Sequence, residues 1–189
     1  TGGGTKALLK LWRKQDGKLV SETIWAKDFG GKFSRMRDLE IGDIDGTGTR
    51  VIAVATHDQG VVAVVRPKDG KYVVEELDHE KDTFVHEIEI GDLDGDHVLE
   101  VYATPSEPNR LDDRPQAGKV VRYVPKKGEG RSVVADLGQR HAKEILVADV
   151  DGDGRDELYV SVEGELGGAD GKQLVSPVQI RRYDAGTPP

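Results

Sequence analysis

The feature that most constrains this fold is a segment that occurs three times in the chain without gaps. The copies begin at positions 37, 86 and 143 and read RDLEIGDIDGTGTR, HEIEIGDLDGDHVL and KEILVADVDGDGRD. Their first loop aspartates, Asp43, Asp92 and Asp149, are 49 and 57 residues apart. Periods of about 40 to 50 residues are typical of arrays in which each repeat is one supersecondary unit, such as propellers and solenoids.

The residues around each repeated loop predict β-strands. Apolar residues alternate with polar ones before the loops, which is the pattern of a half-buried strand. β-rich runs follow at 51–56, 99–104 and 157–162, and again at 61–66, 119–124 and 178–183. Two units add a fourth run, at 71–77 and 131–137, and the N-terminal runs 7–12 and 19–25 resemble the last two strands of a unit.

Four short strands per unit, joined by glycine-rich turns, are typical of a propeller blade. We therefore expect an all-β fold, a β-propeller made of four-stranded antiparallel blades with incomplete blades at both ends of this chain. The expected units are a half blade at 6–28, blades at 35–78 and 84–137, and a blade lacking its last strand at 141–183. The strands number thirteen, which form an arc. Either the chain is a piece of a longer propeller, which we favour, or another chain or copy completes the ring.

The third repeated loop has the most complete set of oxygen ligands. With Asp149 as position 1, the acids Asp151, Asp153 and Glu157 occupy positions 3, 5 and 9, and glycines at positions 4 and 6 permit a tight bend. Ca²⁺ takes six to eight oxygen ligands at about 2.3–2.6 Å, so this loop suits it. The backbone carbonyl at position 7, that of Arg155, is a further expected ligand.

The second loop keeps all four acids, Asp92, Asp94, Asp96 and Glu100, with Val98 at position 7. However, His97 replaces the second glycine. We expect a backbone angle there that costs a non-glycine residue about 1 kcal/mol.

The first loop has fewer acids. It keeps Asp43 and Asp45, but Thr47 stands at position 5 and Val51 at position 9. Because fewer carboxylates bind Ca²⁺ more weakly, we expect up to three Ca²⁺ ions, held most tightly by the third loop and least tightly by the first.

Two other interpretations fit the loops less well. An EF-hand needs Glu at position 12 and flanking helices, whereas position 12 is Val54, Ala103 or Val160 and the flanks alternate with period two. Ordinary Asp/Gly-rich turns are common in sheet proteins and would explain a single loop. They do not explain three loops in register, whose ten acids would otherwise converge without a compensating charge.

The three segments resemble FG-GAP (VCBS-type) repeats, the calcium-binding propeller blades of integrin α-chains and of many bacterial surface and secreted proteins. The resemblance covers nearly the whole chain, from Ala7 to Tyr183, and its most specific element is the DxDGDG core between strands. It implies a β-propeller that holds Ca²⁺ between the first and second strand of each blade.

Charge and composition narrow the range of partners. The net charge of −8 disfavours nucleic acid. The longest apolar run, VVAVV, is far too short to span a bilayer, so we expect no membrane insertion. No catalytic pair, zinc spacing or phosphate-binding loop is identifiable in the sequence.

Two long insertions, at 105–118 and 163–177, are the expected rim loops for a protein or glycan ligand. The predicted function is therefore recognition by a calcium-stabilised module. The alternatives are the scaffold of a polysaccharide-degrading, lyase-like enzyme and a purely structural segment. Calcium loops of moderate affinity stay filled where calcium is millimolar, which favours an extracellular, periplasmic or cell-surface location.

A second repeated feature lies on the first strand of each unit. Acids stand five residues before each loop, at Asp38, Glu87 and Glu144, and each follows a basic residue or histidine. These side chains either line a central channel, where they could bind a ligand, or form salt bridges between blades or remain solvated charges at the rim. We favour the salt bridges or solvated charges.

Overall fold

The alternating segments form strands throughout the part of the chain that the computed structural model describes, residues 6–30, 34–57, 59–108, 116–169 and 171–186. The strands are β1 (Ala7–Gln15), β2 (Lys18–Lys27), β3 (Met36–Gly42), β4 (Val51–Thr56), β5 (Val61–Lys68), β6 (Lys71–His79), β7 (Phe84–Gly91), β8 (Glu100–Glu107), β9 (Ala117–Val124), β10 (Glu129–Asp136), β11 (Ala142–Ala148), β12 (Glu157–Val162), β13 (Glu165–Gly167), β14 (Gln173–Ser176) and β15 (Gln179–Tyr183). A single 3₁₀ turn, Pro125–Lys127, is the one helical element of the described residues.

The strands pair into antiparallel sheets that follow the order of the chain. β3 to β6 and β7 to β10 each form a four-stranded meander, and β11, β12 and β15 form a three-stranded sheet. Two hairpins, β1–β2 and β13–β14, complete the described structure. The fold is therefore all-β with several antiparallel sheets, and no closed barrel or ring is found among the described residues.

The hairpin β13–β14 was not predicted from the sequence, which led us to expect thirteen strands instead of fifteen. It lies within the insertion 163–177, where Leu166 pairs with Leu174 across the two strands. Glycines with positive φ, Gly168 at 84° and Gly171 at 65°, lie in the connection between them. Each strand is only three or four residues long, so the period-two signal is too brief to recognise.

The sheets pack face to face in series, and three apolar clusters lie between them. One joins hairpin β1–β2 to sheet β3–β6, the next joins β3–β6 to β7–β10, and the last joins β7–β10 to the sheet of β11, β12 and β15. Strand β4 shows the arrangement well, because Ala53 and Ala55 face one cluster and Val54 faces another. All three residues are fully buried.

The first strands of successive sheets contact one another, β3 against β7 and β7 against β11. Glycines make part of this approach possible. A Cβ on Gly91 would lie 2.2 Å from Cγ1 of Val147, and a Cβ on Gly42 would lie 3.1 Å from Cδ1 of Ile90. Each of these glycines directly precedes a repeated loop, so the contacts place the loops of neighbouring sheets at the same edge.

Candidate metal centre

The third loop, between β11 and β12, gathers four carboxyl groups. One oxygen each from Asp149, Asp151, Asp153 and Glu157 lies within 4.8 Å of the other three. Ligands that share one Ca²⁺ at about 2.4 Å lie at most about 4.8 Å apart. The three aspartates are exposed and Glu157 is buried, so the group has a solvent-facing side and a closed base.

The aspartate at position 1 organises the loop backbone. Asp149 accepts hydrogen bonds from the N–H groups of Gly152 at 2.7 Å, Asp153 at 3.0 Å and Gly154 at 3.0 Å. Gly152 and Gly154 have φ of 78° and 90°, the left-handed region that glycine adopts without strain. The sequence DVDGDG therefore folds into a bend that turns its carboxylates toward one point.

Glu157 closes the base of this loop from the start of β12. Its carboxylate accepts hydrogen bonds from the Val150 N–H at 3.1 Å and the Tyr159 hydroxyl at 3.4 Å. At position 7 the Arg155 N–H donates to Asp153 at 3.0 Å. The four acids predicted from the sequence for this loop are thus brought together, and the Arg155 carbonyl stays a predicted ligand.

The second loop, between β7 and β8, gathers three of its four predicted acids. Oxygens of Asp92, Asp94 and Asp96 lie within 4.8 Å of one another. As in the third loop, the position 1 aspartate accepts from the N–H groups of positions 5 and 6, at 3.0 and 2.8 Å. The Val98 N–H donates to Asp96 at 2.9 Å, so position 7 is held as in the third loop.

Glu100, the fourth predicted acid, lies outside this group of three. Its buried carboxylate accepts a hydrogen bond from the Tyr102 hydroxyl and lies 2.8 Å from a guanidinium nitrogen of Arg122. Burial raises the pKa of Glu100 to about 6. Tyr102 is close in sequence, but Arg122 belongs to another strand, β9, so the loop pattern alone does not reveal this competition.

The backbone at His97 has the left-handed conformation that we expected in the second loop. Its φ is 65°, where Gly154 stands at the matching position of the third loop. The imidazole is 92% exposed and lies 3.6 Å from the Asp92 carboxylate. Nothing buries the side chain, so no packing contact offsets the backbone cost.

The first loop, between β3 and β4, has the same backbone bend but fewer oxygens. Asp43 accepts from the N–H groups of Thr47 at 3.0 Å and Gly48 at 2.7 Å. Asp45 receives two hydrogen bonds from Arg66, at 2.8 and 3.0 Å, and these hold the pKa of Asp45 below its usual value. Val51, at position 9, belongs to the apolar core.

Sequence reasoning missed one arginine per sheet, and all three contact the loops. Arg66 on β5, Arg122 on β9 and Arg182 on β15 each pair with the aspartate at position 3 of their own sheet's loop. A signal was present, because an arginine ends or nearly ends the aligned runs VVAVVR, KVVRYV and QIRRY. Its partner lies 21 to 31 residues away and is not visible from spacing.

One acid of the first strands, Glu87, forms an ion pair between sheets of the kind that we favoured, and Asp38 accepts a backbone hydrogen bond from the next sheet. The Ile88 N–H of β7 donates to Asp38 of β3 at 3.0 Å, and Arg37 lies 3.9 Å from Glu87. Burial and the neighbouring Asp38 raise the pKa of Glu87 to about 8. In the third sheet Lys143 pairs with Glu163 at 3.3 Å, while Glu144 is exposed.

The two insertions differ in how far the structure describes them. Residues 109–115 of the segment 105–118 lie outside the described residues, and Pro105 to Glu107 belong to strand β8. The hairpin within 163–177 is anchored by Arg140, which donates to the carbonyl oxygens of Glu163 and Pro177, both at 2.7 Å.

Comparisons of the chain with models of known families, with curated proteins and with solved structures found no match. In the described part of the chain, no helix combines the length and hydropathy that a bilayer crossing requires. The case for a function therefore rests on the repeated loops and their partners.

Proposed function

We propose that this chain is a calcium-binding segment of a β-propeller, of the FG-GAP (VCBS-type) kind, in which Ca²⁺ stabilises the loops and the module binds a protein or glycan. The single observation that carries the proposal is the convergence of Asp149, Asp151, Asp153 and Glu157 to within 4.8 Å. Hard oxygen ligands on a short loop, with one of them buried, match the chemistry of Ca²⁺.

Electrostatics supports a bound cation. Like charges held close together disfavour their ionised forms, and an opposite charge among them favours those forms. The third loop holds four converging acids, and a fifth, Asp156, lies within the same nine residues of a chain whose net charge is −8. A divalent ion would neutralise half of the charge of the four converging acids. The second loop, with three acids in its group, would bind Ca²⁺ more weakly, and the first loop most weakly.

The packing of the sheets supports the propeller. Meanders of four strands follow one another in the chain, and their first strands lie next to each other, as blades do around an axis. The units would be 6–28, 35–78, 84–137 and 141–183. The ring would then be completed by further blades of a longer chain, or by another copy.

The proposed ligand surface is formed by the segments 105–118 and 163–177. These insertions distinguish sheet β7–β10 and the sheet of β11, β12 and β15 from sheet β3–β6, which has no such insertion. The hairpin β13–β14 presents Leu166, Leu174 and Val175 to solvent, which suits contact with a partner. An extracellular, periplasmic or cell-surface location goes with calcium loops of moderate affinity.

Thermal unfolding with Ca²⁺ and then with chelator tests the calcium proposal. A ligand at a hundredfold excess over its dissociation constant stabilises by about 2.7 kcal/mol per site, which raises the Tm of a chain of this size by about 5–10 °C. Asp153→Asn should lose most of this rise. Asp16→Asn is the matched control, because Asp16 lies in the β1–β2 turn with φ of 49°, a conformation that Asn tolerates.

A wild-type Tm that is the same in Ca²⁺ and in chelator would refute the calcium proposal. Detectable depolymerisation of uronic-acid polysaccharides would favour the enzyme alternative over a recognition module.

A further inference from the structure

Three arginines occupy equivalent places in the three sheets and reach equivalent carboxylates. Arg66, Arg122 and Arg182 lie on the third strand of their sheets, and each contacts the aspartate at position 3 of its loop, at 2.8, 3.1 and 3.0 Å. Position 3 is one of the expected calcium ligands. The arginine guanidinium and a Ca²⁺ ion would therefore bind the same carboxylate.

Each of these arginines also pairs with an acid outside its loop, Glu75, Glu129 or Asp184, but the neighbouring arginine of β15 does not reach the loop. Arg181, next to Arg182 on β15, donates to Gln179 of its own strand. Arg122 and Arg182 also reach position 9, since Arg122 lies 2.8 Å from Glu100 and Arg182 lies 3.5 Å from Glu157. In the first loop, where position 9 is Val51, Arg66 places two nitrogens on Asp45 instead.

The balance of charge differs among the loops. The first loop has two acids, Asp43 and Asp45, and Lys126 adds a second positive charge beside Arg66, with its Nζ 2.7 Å from the place of a Cβ on Gly46. Arg66 also pairs with Glu75 of the neighbouring strand. Even so, the first loop is the one whose acids are most nearly balanced by cations without a metal ion.

The other two loops keep a negative balance. In the second loop two cations face four acids. Arg122 pairs with Asp94 and Glu100, and also with Glu129 outside the loop. Lys127 pairs with Asp96. In the third loop, Arg182 is the one cation that the described residues pair with the four acids. The uncompensated charge increases from the first loop to the third.

We propose that Arg66, Arg122 and Arg182 are built-in counter-cations of the loops. Arg66 holds Asp45 in the first loop, so that this loop is stable without a metal ion and is the weakest of the three calcium sites. Arg122 and Arg182 hold Asp94 and Asp151 when calcium is absent and compete with it when it arrives, so that they set its affinity. The statements about calcium rest on the proposed calcium function, whereas the stability of the first loop without a metal ion does not.

Physical reasoning gives the direction of the effect. A carboxylate paired with a guanidinium must give up part of that pairing to bind Ca²⁺, and the positive charge that stays nearby repels the ion. Removal of the guanidinium should therefore strengthen calcium binding while it weakens the loop without calcium.

Arg182→Gln, with Arg181→Gln as the matched control, tests the proposal in two measurements. Isothermal titration with calcium chloride should show about tenfold tighter binding at the third loop for Arg182→Gln. Thermal unfolding in chelator should show a Tm lower by a few degrees for the same variant. Arg181→Gln should change neither value. Unchanged or weaker calcium binding in Arg182→Gln would overturn the competition.

Arg66→Gln separates this inference from the calcium proposal. In chelator it should lower the Tm, and Arg66→Lys should restore part of the loss because it keeps the charge but not the two-nitrogen contact. If Arg66→Gln and Arg182→Gln both keep the wild-type Tm in chelator, the counter-cation inference falls whatever calcium does. If the wild type binds no calcium but both variants lose stability, the calcium proposal falls and the arginines remain the counter-cations.

Discussion

At the scale of the residue, the sequence predicts the roles of side chains whose partners lie a few residues away in the sequence. Asp149 and its equivalents bond to N–H groups four and five residues later, and such local contacts follow from spacing. The strain at His97 could be predicted for the same reason. Glu100 could not, because its partner Arg122 comes from another strand.

Glu87 gives a prediction about pH. Its pKa is raised to about 8, mainly by burial, so the folded state holds a proton that the unfolded state has released above about pH 4.5. The stability that this proton contributes is fully present below about pH 4.5 and is lost as the pH rises through about 8. Glu89, with a pKa of about 7, acts in the same direction.

Glu87→Gln should therefore raise the Tm at pH 8.5 and flatten its decline between pH 6.5 and 8.5. Because Arg37 favours the ionised form of Glu87 and offsets part of the effect of burial, we expect about 1 kcal/mol, or about 2–4 °C for a chain of this size. Thermal unfolding in chelator at several pH values measures this, with the exposed Glu165→Gln as control. A steeper decline for Glu87→Gln than for wild type would contradict the assignment.

At the scale of the element, strands that are half-buried or buried could be recognised from period two, and the short hairpin β13–β14 could not. The three loops share one backbone bend, although their ligand sets differ. This indicates that the bend depends on the position 1 aspartate and on the residues at positions 4 and 6, and not on the number of acids.

The second loop offers a test of this bend. A left-handed backbone conformation costs a residue with a side chain about 1–2 kcal/mol, and His97→Gly removes this cost. The greater conformational freedom of glycine in the unfolded chain offsets part of the gain. We expect a net gain of about 0.5–1 kcal/mol in chemical denaturation with chelator present. His79→Gly, at the end of strand β6, should instead destabilise. A loss of stability in His97→Gly would show that the imidazole, and not the backbone, matters there.

At the scale of the whole molecule, the series of sheets follows the order of the repeats, and the spacing between them depends on small residues. The repeat pattern predicted the order, but the close approach of first strands depends on contacts between units and is visible only in the structure. The first hairpin and the last sheet expose large apolar side chains, with Trp12 58% exposed and Ile180 77% exposed.

Gly91→Ala tests the packing between sheets. The added methyl group would meet Val147 at 2.2 Å, which overpacks a buried contact and costs about 1–3 kcal/mol. Chemical denaturation should show this loss. Gly130→Ala is the control, because a Cβ there meets nothing within 4 Å and its φ is not positive. Equal stability of the two variants would mean that β7 and β11 are not held as closely as described.

The residue that matches Gly42 and Gly91 in the third sheet is Ala148. A methyl group thus already occupies the space that Ile90 and Val147 use in the two earlier contacts. A sheet that packs against β11 would therefore need a smaller side chain than Ile90 or Val147 at this point, or a larger distance between the strands. This difference would favour some packing partners over others, even if all of them carried the same repeat.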